Sequence, residues 1–127
     1  MKTSLFFLLI LFISSGCSNT IPFQVSDIVP AASGNVKLKK SDNNNYKIEI
    51  EVDHLAPPER LNPAAKSYIA WYLTEMGNNK IGSLVVSRNL GASLETTVPS
   101  KPKKVFITAE KDPDVDYPGN RVILETD

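Results

Sequence analysis

From Tyr46 to Asp53 (YKIEIEVD) apolar and charged residues alternate without a break. Successive side chains of a strand point to opposite faces. The alternation therefore predicts a β-strand with Ile48, Ile50 and Val52 buried on one side and Lys47, Glu49 and Glu51 in water on the other. Such a strand needs partners to bury its apolar face, and the rest of the chain offers them. Asn35 to Lys39 places Val36 and Leu38 on one face, and Ser41 to Asn45 (SDNNN) reads as a turn because Asn and Asp tolerate left-handed backbone. Further β-rich runs follow at Ser67–Glu75, Lys80–Ser87, Ser93–Val98, Lys104–Glu110 and Asn120–Glu125.

The punctuation between runs is equally informative. Pro57, Pro58 and Pro63 interrupt residues 54–66 and predict a long connection crossing between sheets. Gly77-Asn78-Asn79 predicts a turn, and Gly82 a bulge or a close backbone approach. Ser67–Glu75 is apolar on both faces, with Tyr68, Ala70 and Tyr72 on one side and Ile69, Trp71 and Leu73 on the other. That is the pattern of a central strand, and Trp71 is expected to be its main core filler. Seven short strands over residues 34–127 predict an all-β chain, an immunoglobulin/fibronectin-like antiparallel β-sandwich, with a small barrel as the alternative.

Composition narrows the function. A chain of 127 residues holds one domain, and 14 basic against 14 acidic side chains deny it the basic footprint of a nucleic-acid binder. One Cys excludes an internal disulfide framework and a Cys-rich zinc site, and one His leaves little for catalytic triads or His-rich metal centres.

At the N-terminus Lys2 supplies a positive start, Leu5–Ile13 (LFFLLILFI) is unbroken apolar sequence, and Ser14, Ser15 and Gly16 precede Cys17. The apolar run is well short of the roughly 20 residues needed to span a bilayer as helix and reads as the core of a cleaved signal peptide. With a thiol directly at the cleavage point, residues 1–17 resemble the signal of bacterial lipoproteins. The resemblance implies that residues 1–16 are removed and that Cys17 becomes an acylated N-terminus anchored in the lipid bilayer. It also implies a place in the bacterial cell envelope outside the cytoplasm. By resemblance to lipoprotein sorting in enterobacteria, Ser18 favours the outer membrane over the inner one. Residues 17–33, with Pro22, Pro30, Ser33 and Gly34 around them, read as lipidated Cys and tether. Phe23, Val25, Ile28 and Val29 are apolar enough for part of that stretch to dock as an edge strand.

A second resemblance concerns the body of the chain. Tyr68–Glu75 with its Trp71, then Ile81-Gly82-Ser83-Leu84, Phe106-Ile107-Thr108-Ala109-Glu110 and Pro118-Gly119 are similar in order to the extracytoplasmic domain of anti-sigma-K-type anti-sigma factors. The resemblance implies a fold and an extracytoplasmic location. The sequence offers no cytoplasmic segment to hold a sigma factor, so the related alternative is an envelope-sensing accessory.

Among chemical groups, Asp112, Asp114 and Asp116 stand at alternate positions, similar to the start of a calcium loop, and are the candidate metal ligands. Counting from Asp112, the sixth and twelfth places hold Tyr117 and Ile123 where a helix-loop-helix site needs Gly and Glu, so a solvated acidic turn is the ordinary reading. A calcium-dependent binding module is the corresponding alternative. His54, beside Asp53, is the only conventional general base and reads as an exposed strand-end residue. Lys37, Lys39 and Lys40, and Lys101-Pro102-Lys103-Lys104, are basic runs that read as solubilising edges or as contacts for anionic headgroups. The expectation is a membrane-anchored binding or structural domain with an unidentified protein or glycan partner, no nucleic acid, no cofactor and no catalytic site.

Overall fold

The alternating run forms a strand because only an extended chain sends Ile48, Ile50 and Val52 to one side together, and all three are buried in the structure. Each such aliphatic side chain removed from water contributes about 1.5–3 kcal/mol. The computed structural model describes residues 18–127. Its strands are β1 (Ser18–Pro22), β2 (Ser33–Lys40), β3 (Tyr46–Asp53), β4 (Ser67–Thr74), β5 (Gly77–Leu84), β6 (Ala92–Val98), β7 (Lys104–Glu110) and β8 (Val122–Glu125). They form two four-stranded antiparallel sheets, β1-β2-β3-β6 and β5-β4-β7-β8, packed as a sandwich. The chain crosses between sheets after β3, β5 and β6, the Greek-key habit of the immunoglobulin and fibronectin class. The Pro-rich connection after β3 is one of these crossings and contains a single 3-10 turn at Pro58–Arg60.

The eighth strand is β1, and it revises the expected tether. Ser18 to Pro22 pairs residue by residue with Lys39 to Asn35 of β2, and the Phe23 N–H extends the ladder to the Gly34 carbonyl at 3.0 Å. Beyond it Phe23, Val29 and Ala32 are buried, while the Ser26 hydroxyl accepts the Val29 N–H at 2.9 Å and bends the chain around them. The body thus includes Ser18–Pro22, ahead of the boundary expected at Gly34. Enough apolar side chains sit at inward positions to offset the entropy of ordering the segment. Val25 and Ile28, also expected to dock, face outward instead.

The β4–β5 hairpin turns earlier than expected. Thr74 pairs with Gly77, so Glu75-Met76 make the turn, and Asn78 and Asn79 lie inside β5. Gly77 closes the turn at φ 113°, a conformation L side chains rarely adopt, and the Thr74 hydroxyl accepts the Met76 N–H at 3.2 Å. Polar residues are tolerated in β5 because it is an edge strand. Opposite Ala70 and Trp71 the register slips past Ile81, the bulge that Gly82 predicts.

The principal core lies between the sheets, with Tyr68, Ala70, Val105, Ile107 and Ala109 from one and Val36, Leu38, Ile48, Ile50 and Val52 from the other. The Tyr68 hydroxyl donates to the Ala56 carbonyl at 2.6 Å, and burial pushes its phenol up to about 12. Trp71 is fully buried but not here, which corrects its expected role. With Ile69 and Phe106 it forms a second cluster on the outer face of β4 and β7, packed against Val115 and Val122.

Candidate functional site

Two parts of the surface gather chemistry-bearing side chains. The first is the pole at which the chain enters the body. Ser18 pairs with Lys39, Lys40 with Tyr46, and Tyr46 with Val98, so the start of β1, the end of β2, the start of β3 and the end of β6 share one end of the first sheet. The short crossing 99–103 keeps the start of β7 at that same end, where Lys104 faces Leu73. Pro102 is buried, which anchors this crossing and leaves Lys101 and Lys103 on either side exposed. Lys101, Lys40, Asn19, Leu38 and Tyr46 line a common cleft of about 160 Å³. The two basic runs, more than sixty residues apart in the chain, therefore meet beside β1.

Their charges are not equivalent. Lys103 is 3.5 Å from Glu75, and Lys104 is 3.4 Å from Glu125. Lys47 bridges Glu95 at 3.0 Å and Glu49 at 3.2 Å, and these carboxylates, Glu95 first, raise its ammonium above the ordinary lysine range. Among the described residues, Lys37, Lys39, Lys40 and Lys101 make no such ion pair.

The second part is the acidic loop between β7 and β8, which leaves from the opposite pole. Asp112, Asp114 and Asp116 are all exposed, and the Asp112 carboxylate accepts the Asp114 N–H at 2.9 Å. Among the described residues no three His, Cys, Asp or Glu side chains converge as a group able to hold a metal ion, so the structure does not bring these three together. The loop covers hydrophobic surface instead. Val115 rests on the Trp71 cluster, and the Lys80 ammonium donates to the Pro113 and Val115 carbonyls at 2.9 and 3.1 Å.

Under the loop runs a chain of polar contacts. Trp71 Nε1 donates to Thr108 Oγ1 at 2.9 Å, the Thr108 hydroxyl donates to Glu110 Oε2 at 2.6 Å, and the Gly119 N–H donates to the same oxygen at 2.9 Å. A Cβ at position 119 would stand 2.8 Å from Glu110 Oε1, so glycine is what lets the loop close on the carboxylate. Thr108, Glu110 and Gly119 fall within the strings that carry the anti-sigma resemblance, which assigns them no contact, and Lys80 carries no motif. The signal for their pairing is the pair of polar residues at alternate places of a strand whose neighbours are apolar, Phe106-x-Thr108-x-Glu110.

His54 follows β3 as an exposed residue in left-handed backbone (φ 56°), and among the described residues no side chain is hydrogen-bonded to it. Glu49 and Glu51 lie on the outer face of the first sheet, pointing away from the core. A groove of about 530 Å³ runs between residues 24–28 and 120–125, where the free edge of β8 meets the entering segment through the Gln24 N–H bond to the Glu125 carbonyl at 2.9 Å. Val25 borders it with 81% of its surface exposed. Cys17 and the leader lie outside the described residues. Among the described residues no helix is long and apolar enough to cross a membrane. Neither a family model nor a curated protein matches the chain.

Proposed function

We propose that this chain is a bacterial envelope lipoprotein whose β-sandwich acts outside the cytoplasm by binding or structural association, without catalysis. The observation that carries the reading is the order of residues 1–17: a lysine, nine unbroken apolar residues, Ser-Ser-Gly and then the chain's one cysteine. The leader would be removed before Cys17, and acyl chains on that residue would hold the protein in the bilayer, two or more chains giving stable anchorage where one gives only marginal binding. The outer membrane is the favoured leaflet system, on Ser18 alone. The anti-sigma resemblance bears on the fold alone. A protein or glycan partner has a recess available in the groove beside β8, bordered by exposed Val25.

Mass spectrometry of the N-terminal peptide of the natural protein, purified from envelopes, tests the anchor. The expected species starts at an acylated Cys17. An intact leader, or a free Cys17 thiol on protein recovered in the soluble fraction, would overturn the reading. Crosslinking in intact envelopes is expected to trap a partner, and an adduct that maps to residues 24–28 or 120–125 would place it in the groove.

A further inference from the structure

Resting on the lipid anchor proposed above, we infer that the lysine corner beside β1 is a seat for an anionic bilayer surface and holds the domain with its entry pole against the headgroups. Three observations converge. First, the spacer is minimal. Ser18, the residue after Cys17, is already paired with Lys39, and strand neighbours lie about 4.8 Å apart while consecutive Cα atoms are about 3.8 Å apart. The Lys39 backbone is therefore within about 10 Å of residue 17, so an acylated Cys17 brings this pole to the headgroup layer.

Second, the pole carries matching charge. Lys37, Lys39, Lys40 and Lys101 surround the entry strand, all exposed and without ion pairs among the described residues. Carboxylates stand at this pole too. Asp42 sits in the following turn, Glu49, opposite Lys37, is held by Lys47, Glu75 by Lys103 and Glu125 by Lys104. Third, the two poles differ in which charges stand alone: the loop bearing Asp112, Asp114 and Asp116 leaves β7 at Glu110, which pairs with Ser67 at the far pole, and there Lys111, Arg121 and the Lys80 ammonium on the loop's carbonyls accompany the carboxylates. In the field of an anionic surface the entry-pole lysines without ion pairs favour one orientation, over a range of roughly one Debye length, about 8–10 Å at ordinary salt.

The test uses the full acylated protein in vesicles of phosphatidylcholine with or without phosphatidylglycerol, the headgroups carrying a quencher. Because acylation blocks Cys17, a fluorophore can be placed through Asn43→Cys, at the turn after β2, or Val85→Cys, after β5 at the far pole. In anionic vesicles quenching at position 43 is expected to exceed that at position 85 by about threefold or more, given an attraction that decays within a Debye length. The excess is expected to fall in neutral vesicles, in molar salt, and on combining Lys39→Glu, Lys40→Glu and Lys101→Glu. The neutral-lipid and salt arms use unchanged lysines, so they decide the matter even where the triple variant folds poorly. Equal quenching at both positions, with Cys17 acylated and the protein retained on vesicles, would overturn the seat and leave the anchor standing. An unmodified Cys17, or protein released from the vesicles, would overturn both.

Discussion

Each sheet gives one face to the shared core, and the two differ in what they do with the other. The outer face of β2, β3 and β6 is wet and bears Lys37, Lys39, Lys47, Glu49, Glu51 and Glu95, with Lys47 bridging two carboxylates. The outer face of β4 and β7 is sealed. Ile69, Trp71 and Phe106 are buried there under Val115 and Val122, and the polar ends of Trp71 and Thr108 are satisfied in series by Glu110. A wet face is maintained by solvent and its individual contacts are replaceable. A sealed one depends on its loop, because a buried donor without a partner has no water to turn to.

The sharpest way to break that contrast is Trp71→Ala. It removes the largest side chain of the sealed face and leaves a cavity beneath the loop, and it is expected to cost about 3–5 kcal/mol, read from urea unfolding. Tyr68 supplies an internal standard from the core between the sheets. Its phenol titrates at about 12 in the folded chain, above the unfolded value near 10, so the neutral form is the one the fold favours. The associated stability is fully present below about pH 10 and is lost as the pH rises toward about 12, to a limit on the order of 2–3 kcal/mol. Tyr68→Phe is expected to flatten that alkaline decline, measured as unfolding midpoints across the same window. A decline unchanged by the substitution would assign it to other groups.

Thr108→Val keeps the volume of the sealed face and deletes its central hydroxyl. The Trp71 N–H then lacks its acceptor and Glu110 loses a donor, for an expected loss of about 1–2 kcal/mol by urea unfolding. Lys47→Ala on the wet face is expected to have the smallest effect, a slight lowering of the thermal midpoint that vanishes in molar salt because exposed ion pairs are screened. A loss from Lys47→Ala as large as that from Thr108→Val would erase the distinction between the faces.

The legibility of the two faces in the sequence differs for the same reason. Where one side of a strand is solvent, period two is written in alternating chemistry, and β3 is readable to the residue. In β4 both sides are apolar, which announces a covered strand but not what covers each face. Trp71 accordingly reads as filler for the core between the sheets and is found under a loop. The loop itself reads as an acidic turn because its three aspartates face outward. Of the residues that fasten it, Lys80 comes from a strand 33 and 35 residues away from the carbonyls it meets, and Gly119 from the loop's own end, nine residues from Glu110. The lysine corner was visible only as two separate runs, since nothing local relates residue 40 to residue 101.

The sequence by itself determined the strands whose alternation or turn residues are local: β3 and β7 at their bounds, and the crossing at Pro57–Pro63. Backbone sterics and side-chain periodicity act over a few residues, and so these are readable in order along the chain. Tertiary structure alone decided that Ser18–Pro22, and not the more apolar stretch from Phe23, forms the edge strand, that Trp71 lies outside the principal core, and that two basic runs share one pole. Each of these depends on which surfaces meet after the chain has crossed between sheets, and burial of those surfaces is a property of the packed body rather than of any segment.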